Sequence, residues 1–187
     1  MIAFTVNARK IKELEKLLNG NQKKLRRELA TAVNATARKT QSLMAKQIGR
    51  ELSTAQKNIK KTVNVVRKAS ATQQSPSATV RINETKKIPL RDFGARQNKS
   101  GVTYRISRGG GRKHIKGAFI VDQYQKNVYV RPEKNRAVGK SKKGVSPWGV
   151  FKKKRLKKPT VQDSRVELML QINRRIRFLK LKQSGAI

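Results

Sequence analysis

Cysteine is absent from this chain, and His114 is its only histidine. Disulfides and thiolate metal sites are thereby excluded, and so are multi-histidine zinc sites. Acidic residues are scarce, with 10 Asp and Glu against 47 Lys and Arg. A metal-dependent nuclease needs several carboxylates converging on one cation, and the few present here are scattered along the chain. Aromatic residues make up 5% of the sequence, too few for the series of stacking platforms that single-strand binders use. There is no run of apolar residues long enough for a transmembrane helix. Zinc-finger, RNP-like and basic-zipper signatures are missing as well. Residues 1–6 are too short for a signal-peptide core, and basic residues soon follow. They read as a short first strand or an anchoring arm, in a protein made in a cytoplasm.

What the chain does have is positive charge. Its formal net charge is +37 over 187 residues. A monomer with that charge repels itself and binds any polyanion it meets. The basic residues run along the whole sequence, so this is not a neutral domain with a basic tail. The phosphate backbone of a nucleic acid is the expected counterpart, contacted without base reading. The hydrophobic fraction of 36% lies below the roughly 45–50% of an ordinary globular domain. The core is therefore expected to be thin, with part of the chain ordered by a partner subunit or ligand.

Hydrophobic periodicity predicts an α+β fold in a single domain, 1–187. A helical part occupies 7–60. Asn7 is the candidate cap of a first helix over 7–19, with Ile11, Leu14, Leu17 and Leu18 as its stripe and Gly20 as its stop. A long helix follows over 22–52, with Leu25, Leu29, Ala32, Val33, Ala37, Leu43, Met44, Ile48 and Leu52 on one face. Ser53 and Thr54 are candidate caps of a short helix over 55–60. A β part occupies 62–131 and forms an antiparallel sheet. Its strands are expected near 63–66, 78–83, 101–106, 117–121 and 127–130, with 87–93 extended and Pro89 at an edge. Residues 132–160 read as a basic loop or arm. A C-terminal helix and tail fill 161–187, opened by a Ser164/Glu167 capping box.

Two basic tracts are the candidate DNA-binding sites. The first surrounds the glycines at 109–111 and contains Arg105, Arg108, Arg112, Lys113, His114 and Lys116. It lacks the Gly-Lys-Ser/Thr ending of a Walker loop. Its glycines allow close approach of backbone to phosphate; the alternative is a flexible hairpin tip with solvated charges. His114 could act as a general base, or be a solvated or phosphate-contacting side chain. The second tract contains Lys140, Lys142, Lys143, Lys152, Lys153, Lys154, Arg155, Lys157 and Lys158, with no acid between Glu133 and Asp163. Such a run is solvated or bound to polyanion. Trp148 and Phe151 interrupt it, either to stack on bases or to anchor the segment on protein. No catalytic residue, metal ligand or cofactor is expected.

Several segments together resemble the minor tail protein Z family of long-tailed bacteriophages. They are Ile88-Pro89-Leu90, Gly101-Val102-Thr103-Tyr104, the basic glycine loop, Gly117-Ala118-Phe119-Ile120 and Val128-Tyr129-Val130-Arg131. The basic helical first half and the terminal helix are similar too. Past Arg131 the chain departs from the family pattern, as Arg136-Ala137-Val138 leads into the second basic tract. The resemblance implies a structural virion component that acts late in tail assembly and in head–tail joining. It implies a place at the head-proximal end of the tail, after assembly in the host cytoplasm. It implies double-stranded DNA, the tail terminator and other tail or neck proteins, including the tape-measure end, as partners, and no membrane. A homo-oligomeric ring of such subunits would line a channel with cations; six copies would bring on the order of 200 positive charges. A basic nucleic-acid-binding protein of another assembly, ribosomal or nucleoid, is the alternative reading, and a nuclease is a third.

Overall fold

A computed structural model gives the protein's fold and describes residues 8–73, 76–121, 127–131, 139 and 141–185. The expected first strand at 1–6, the Asn7 cap and Lys140 lie outside the described residues. The fold class is α+β, with a long N-terminal helix, antiparallel sheets and a long C-terminal helix. The chain divides into two compact units, each discontinuous in sequence.

The first unit takes the described residues of Met1–Met44, Val63–Arg81 and Lys157–Ile187. Helix α1 (Ala8–Leu17) buries Leu14. It ends where Asn19 and Gly20 turn left-handed, at φ 50° and 70°, and the Gly20 N–H donates to the Glu15 carbonyl, the stop expected of a glycine just past a helix. Helix α2 (Gln22–Glu51) starts on Asn21, whose Oδ1 accepts the Lys24 N–H at 3.0 Å, a side-chain cap. Leu25, Leu29, Ala32, Val33 and Ala37 are buried at steps of three and four, as the stripe predicts; Leu43 is only half-buried. Strands β1 (Val63–Arg67) and β2 (Thr79–Ile82) pair as a two-stranded sheet that buries Val63 and Val80.

Helix α5 (Lys157–Gln183) closes this unit. Thr160, Ser164, Leu168, Ile172 and Ile176 lie buried along it at steps of four. Its polar members are satisfied: the Thr40 hydroxyl bonds to Ser164 Oγ at 2.9 Å, and Ser164 Oγ donates to the Thr160 carbonyl at 2.6 Å, so burial leaves neither hydroxyl unpaired. The helix therefore begins seven residues before the expected capping box, and Ser164 is a core residue instead of a cap. Pro159 falls in the first turn of this helix, where there is no intrahelical N–H bond for proline to remove. Glu13 links α1 to α5, 2.9 Å from Lys10 Nζ and 3.3 Å from Lys180 Nζ. Hydrogen bonds from Lys10 and then Lys180 hold its carboxyl below the usual carboxylate range.

The second unit takes Ala45–Thr62 and the described residues of Ile82–Leu156. It holds the last turns of α2, where Met44's successors Ala45, Ile48 and Leu52 are buried, and helix α3 (Gln56–Lys60). The N-cap of α3 is Ala55, with no side-chain bond. Ser53 and Thr54 do not cap it: the Ser53 N–H donates to the Ile106 carbonyl at 2.7 Å, and Thr54 is buried. Residues 87–93, expected to be extended, contain a 3-10 turn at Leu90–Phe93 instead. Leu90 and Phe93 are both buried, a spacing of three that suits the 3-10 repeat.

The expected single sheet is divided, leaving two sheets in this unit. Strands β3 (Arg96–Asn98), β4 (Gly101–Tyr104) and β5 (Lys113–Lys116) form one, in the order β3-β4-β5. Strands β6 (Ala118–Val121) and β7 (Asn127–Val130) form the other, antiparallel, with Ala118 opposite Val130 and Ile120 opposite Val128. The Ile120 N–H donates to Gln97 Oε1 at 2.8 Å, tying β6 to β3. The expected loop or arm over 132–160 is partly regular. Residues 141–145 are held by Lys142 N–H to Val128 O at 2.7 Å and Gly144 N–H to Ile88 O at 2.8 Å. Helix α4 (Pro147–Lys153) follows and buries Pro147 and Phe151.

Candidate nucleic-acid interface

The register of the three-stranded sheet sorts its side chains onto two faces. Arg96, Thr103 and His114 form one cross-strand row, and Asn98, Gly101 and Lys116 form the next row on the same face. The intervening row is Gln97, Val102 and Ile115. Val102 is fully buried, so that row faces the core. The outward rows therefore present Arg96, His114 and Lys116, all exposed. With strands about 4.8 Å apart, Arg96 and His114 stand about 10 Å apart across the sheet, and Lys116 lies about 7 Å along β5 from His114. Asp92 is the only carboxylate in the segment between Glu84 and Asp122, so no acid of these strands neutralises the face.

Gly101 lets this face form. Its φ is +152°, and a Cβ there would lie 2.1 Å from the Ile115 carbonyl oxygen and 2.9 Å from His114 Nε2. Only glycine allows β4 and β5 to approach that closely. His114 Nε2 lies 3.2 Å from Ser100 Oγ, which fixes the ring at the edge of the face.

The glycine-rich loop is shaped by its own arginines. Arg112 donates from one terminal nitrogen to Gly94 O at 2.8 Å and to Thr103 O and Oγ1, each at 3.2 Å. Arg105 Nε donates to Gly110 O at 3.0 Å, and a second Arg105 nitrogen bonds the Arg108 carbonyl. Arg108 Nε donates to Leu52 O at 3.2 Å. Three cations expected to await phosphate thus already bind backbone carbonyls. A guanidinium carries five donors, so these bonds hold the group in place without consuming its charge. A cation so held loses less freedom when it meets an anion. The glycines themselves carry no steric demand: a Cβ at Gly109 or Gly111 would meet open space. Lys113 opens β5 opposite Tyr104 and is exposed.

The second basic tract is dispersed. Lys142 and Lys143 are exposed beside β7, and Lys152 and Lys153 are exposed on α4. Lys154 Nζ sits 3.0 Å from Glu51 Oε2, an ion pair at the surface. Arg155 takes a left-handed conformation, φ 51°, in the turn after α4. Lys157 and Lys158 belong to the first unit, in the first turn of α5. No acid stands in that turn, although the helix macrodipole favours acids there and disfavours lysines. Trp148 stacks on Phe151, with ring centroids 6.3 Å apart and planes at 23°; since Phe151 is buried, the pair anchors α4.

Arg96 and Lys99 were not singled out by the sequence. Both are exposed, on β3 and on the turn into β4. The three-residue strand is too short for alternation to be seen, and its only signal is the two-residue spacing of Arg96 and Asn98. Among the described residues no group of three His, Cys, Asp or Glu side chains could hold a metal ion, and no helix is long and apolar enough to cross a membrane. Fold and surface together define an α+β chain whose second unit presents a cationic sheet face with arginines braced beside it. No protein family, curated protein or solved structure matches the chain.

Proposed function

We propose that this chain is a non-enzymatic structural protein that grips double-stranded DNA through its phosphates. The observation that carries the reading is the outward face of the β3-β4-β5 sheet, where Arg96, His114 and Lys116 stand in register with no carboxylate in those strands. Such a face offers positive charge to phosphate oxygens, the contacts that position a protein on a duplex without reading its sequence. The setting we propose is the head-proximal end of a phage tail, in tail completion and head–tail joining. It rests on the resemblance of residues 88–131 to the minor tail protein Z family. A homo-oligomeric ring there would place many copies of the face around the DNA end, beside the tail terminator.

Replacing Arg96 and Lys116 by Gln tests the face. Both side chains are exposed, so the fold should persist by circular dichroism. Duplex affinity should fall for every sequence alike, and the slope of log K against log salt should shrink by about one per lysine or arginine removed. An unchanged slope in a folded variant would take the phosphate contact away from this sheet. Incorporation of the tagged chain into tailed particles, seen as a ring at the neck, tests the setting; binding confined to structured RNA would point to a ribosomal assembly instead.

A further inference from the structure

Two adjoining clefts open in the second unit, where the end of α2 meets the turn that follows β4. The larger, about 480 Å³, has Ser53, Thr54, Arg105 and Arg108 on its walls. The smaller, about 170 Å³, is bounded by Lys46, Arg50 and again Thr54 and Arg108. Arg108 stands between them. Its Nε is fixed on Leu52 O at 3.2 Å and its backbone N–H on Glu51 O at 3.1 Å. These bonds direct the guanidinium without engaging its terminal nitrogens. Arg105 is fixed in turn on the Gly110 and Arg108 carbonyls. Lys46 and Arg50 are exposed, one helical turn apart on α2. One acid, Asp92, reaches the larger cleft, and Arg91 Nε lies 3.4 Å from its Oδ1.

The larger cleft thus sets Arg105 and Arg108 beside Ser53, Thr54 and Asp92, and the smaller sets Lys46, Arg50 and Arg108 beside Thr54, a different surface from the outward sheet face. A flat cationic face suits the singly charged phosphodiesters of a duplex side. An open cleft admits a projecting group between its walls. We propose that a dianionic phosphate group, carried as a monoester at a strand end or as inorganic phosphate, binds where these clefts meet at Arg108, within reach of Lys46 and Arg50. That group carries about −1.5 to −2 charges and three strong acceptor oxygens at neutral pH, and a planar guanidinium fork pairs with such oxygens two at a time. Arginines already braced on carbonyls lose little freedom in doing so. Where the phosphate ends a DNA strand, the inference rests on the proposed function; where it is free phosphate, it stands apart from it.

The test uses the full chain and two duplexes of identical sequence, labelled at the 3′ end, one with 5′-phosphates and one with 5′-hydroxyls. Thermal melting with inorganic phosphate, against chloride at matched ionic strength, runs beside it. The 5′-phosphorylated duplex should bind about tenfold more tightly, or inorganic phosphate should raise Tm by at least about 2 °C. The K46Q/R50Q variant, altered at exposed helix positions, should remove whichever effect is seen while affinity for the 5′-hydroxyl duplex stays within about twofold. Arg108→Lys, which keeps the charge and loses the fork, should reduce it too, and the Lys46 and Arg50 variant decides if that protein does not fold. Competition by inorganic phosphate separates a free anion from a strand end as the ligand. Equal affinity for both duplexes with no phosphate-dependent Tm shift overturns the inference, as does an effect that K46Q/R50Q leaves intact. Should neither duplex bind, the proposed function fails, and the melting arm alone decides the cleft.

Discussion

Thr40 and Ser164 show how this chain spends polar residues in its thin core. Each hydroxyl is fully buried, and each has a partner across or along the helices. Ser164→Ala keeps the volume close and leaves the Thr40 hydroxyl without its acceptor. It should lower stability by about 1–3 kcal/mol, the cost of an unsatisfied buried group, read as a lower urea midpoint at unchanged slope. Gly144 is constrained by space instead. A Cβ there would lie 2.5 Å from Phe93 Cε2 and 3.0 Å from Ile88 O, and Phe93 is fully buried. Gly144→Ala should therefore cost about 1–3 kcal/mol through overpacking, with the loss visible in the same urea melt; a neutral result would mean that Phe93 has room to move. Neither residue advertises its role in sequence, because serine and glycine are as common in loops as in tight cores.

Among the elements, α2 was legible because its apolar steps of three and four continue over many turns, from Leu25 to Leu52. Strands β4, β6 and β7 were legible from Val102, Ala118 and Val128 and their alternating neighbours. The elements that escaped have few inward side chains to give them away. Strand β5 turns only Ile115 appreciably inward, between His114 and Lys116. The start of α5 carries lysines and Pro159, which read as a loop although a first turn has no intrahelical N–H bond for the proline to remove and leaves the lysines exposed. The 3-10 turn hid behind Pro89, since one turn offers no repeat to count. The same sparseness blurred the site: the glycine loop was visible as composition, but that Arg108 binds Leu52 and Arg112 binds Gly94 is long-range geometry no local pattern records. The link between α1 and α5 yields a pH prediction. Glu13 has a lowered pKa in the fold, so its contribution is present above the unfolded carboxylate value and is lost as pH falls through the folded one. Glu13→Gln should lower Tm slightly near neutral pH, and the gap from the parent should close in acid and in high salt. A gap that persists in acid would assign it to packing, not charge.

For the whole molecule, the +37 charge acquires a distribution. In the second unit it is organised as a sheet face, a braced loop and a pair of clefts, while Lys157 and Lys158 charge the start of α5 in the first. Eight of the candidate cations, Lys113, Lys116, Lys152 and Lys153 among them, are all exposed and differ in how they are held: Arg105, Arg108, Arg112 and Lys154 also bond protein partners, which fixes their direction. On the proposed reading, charge of one sign that the protein itself does not neutralise is neutralised by DNA, whose duplex presents about one negative charge per 1.7 Å. The central claim is thus sequence-independent phosphate binding, and a salt titration of duplex affinity on two unrelated sequences tests it most directly. The account predicts a linear fall of log K with log salt, about 10³- to 10⁵-fold between roughly 50 and 200 mM if some six to ten phosphates are engaged, and the same line for both sequences. Affinity that ignores salt, or that survives on one sequence only, would contradict it.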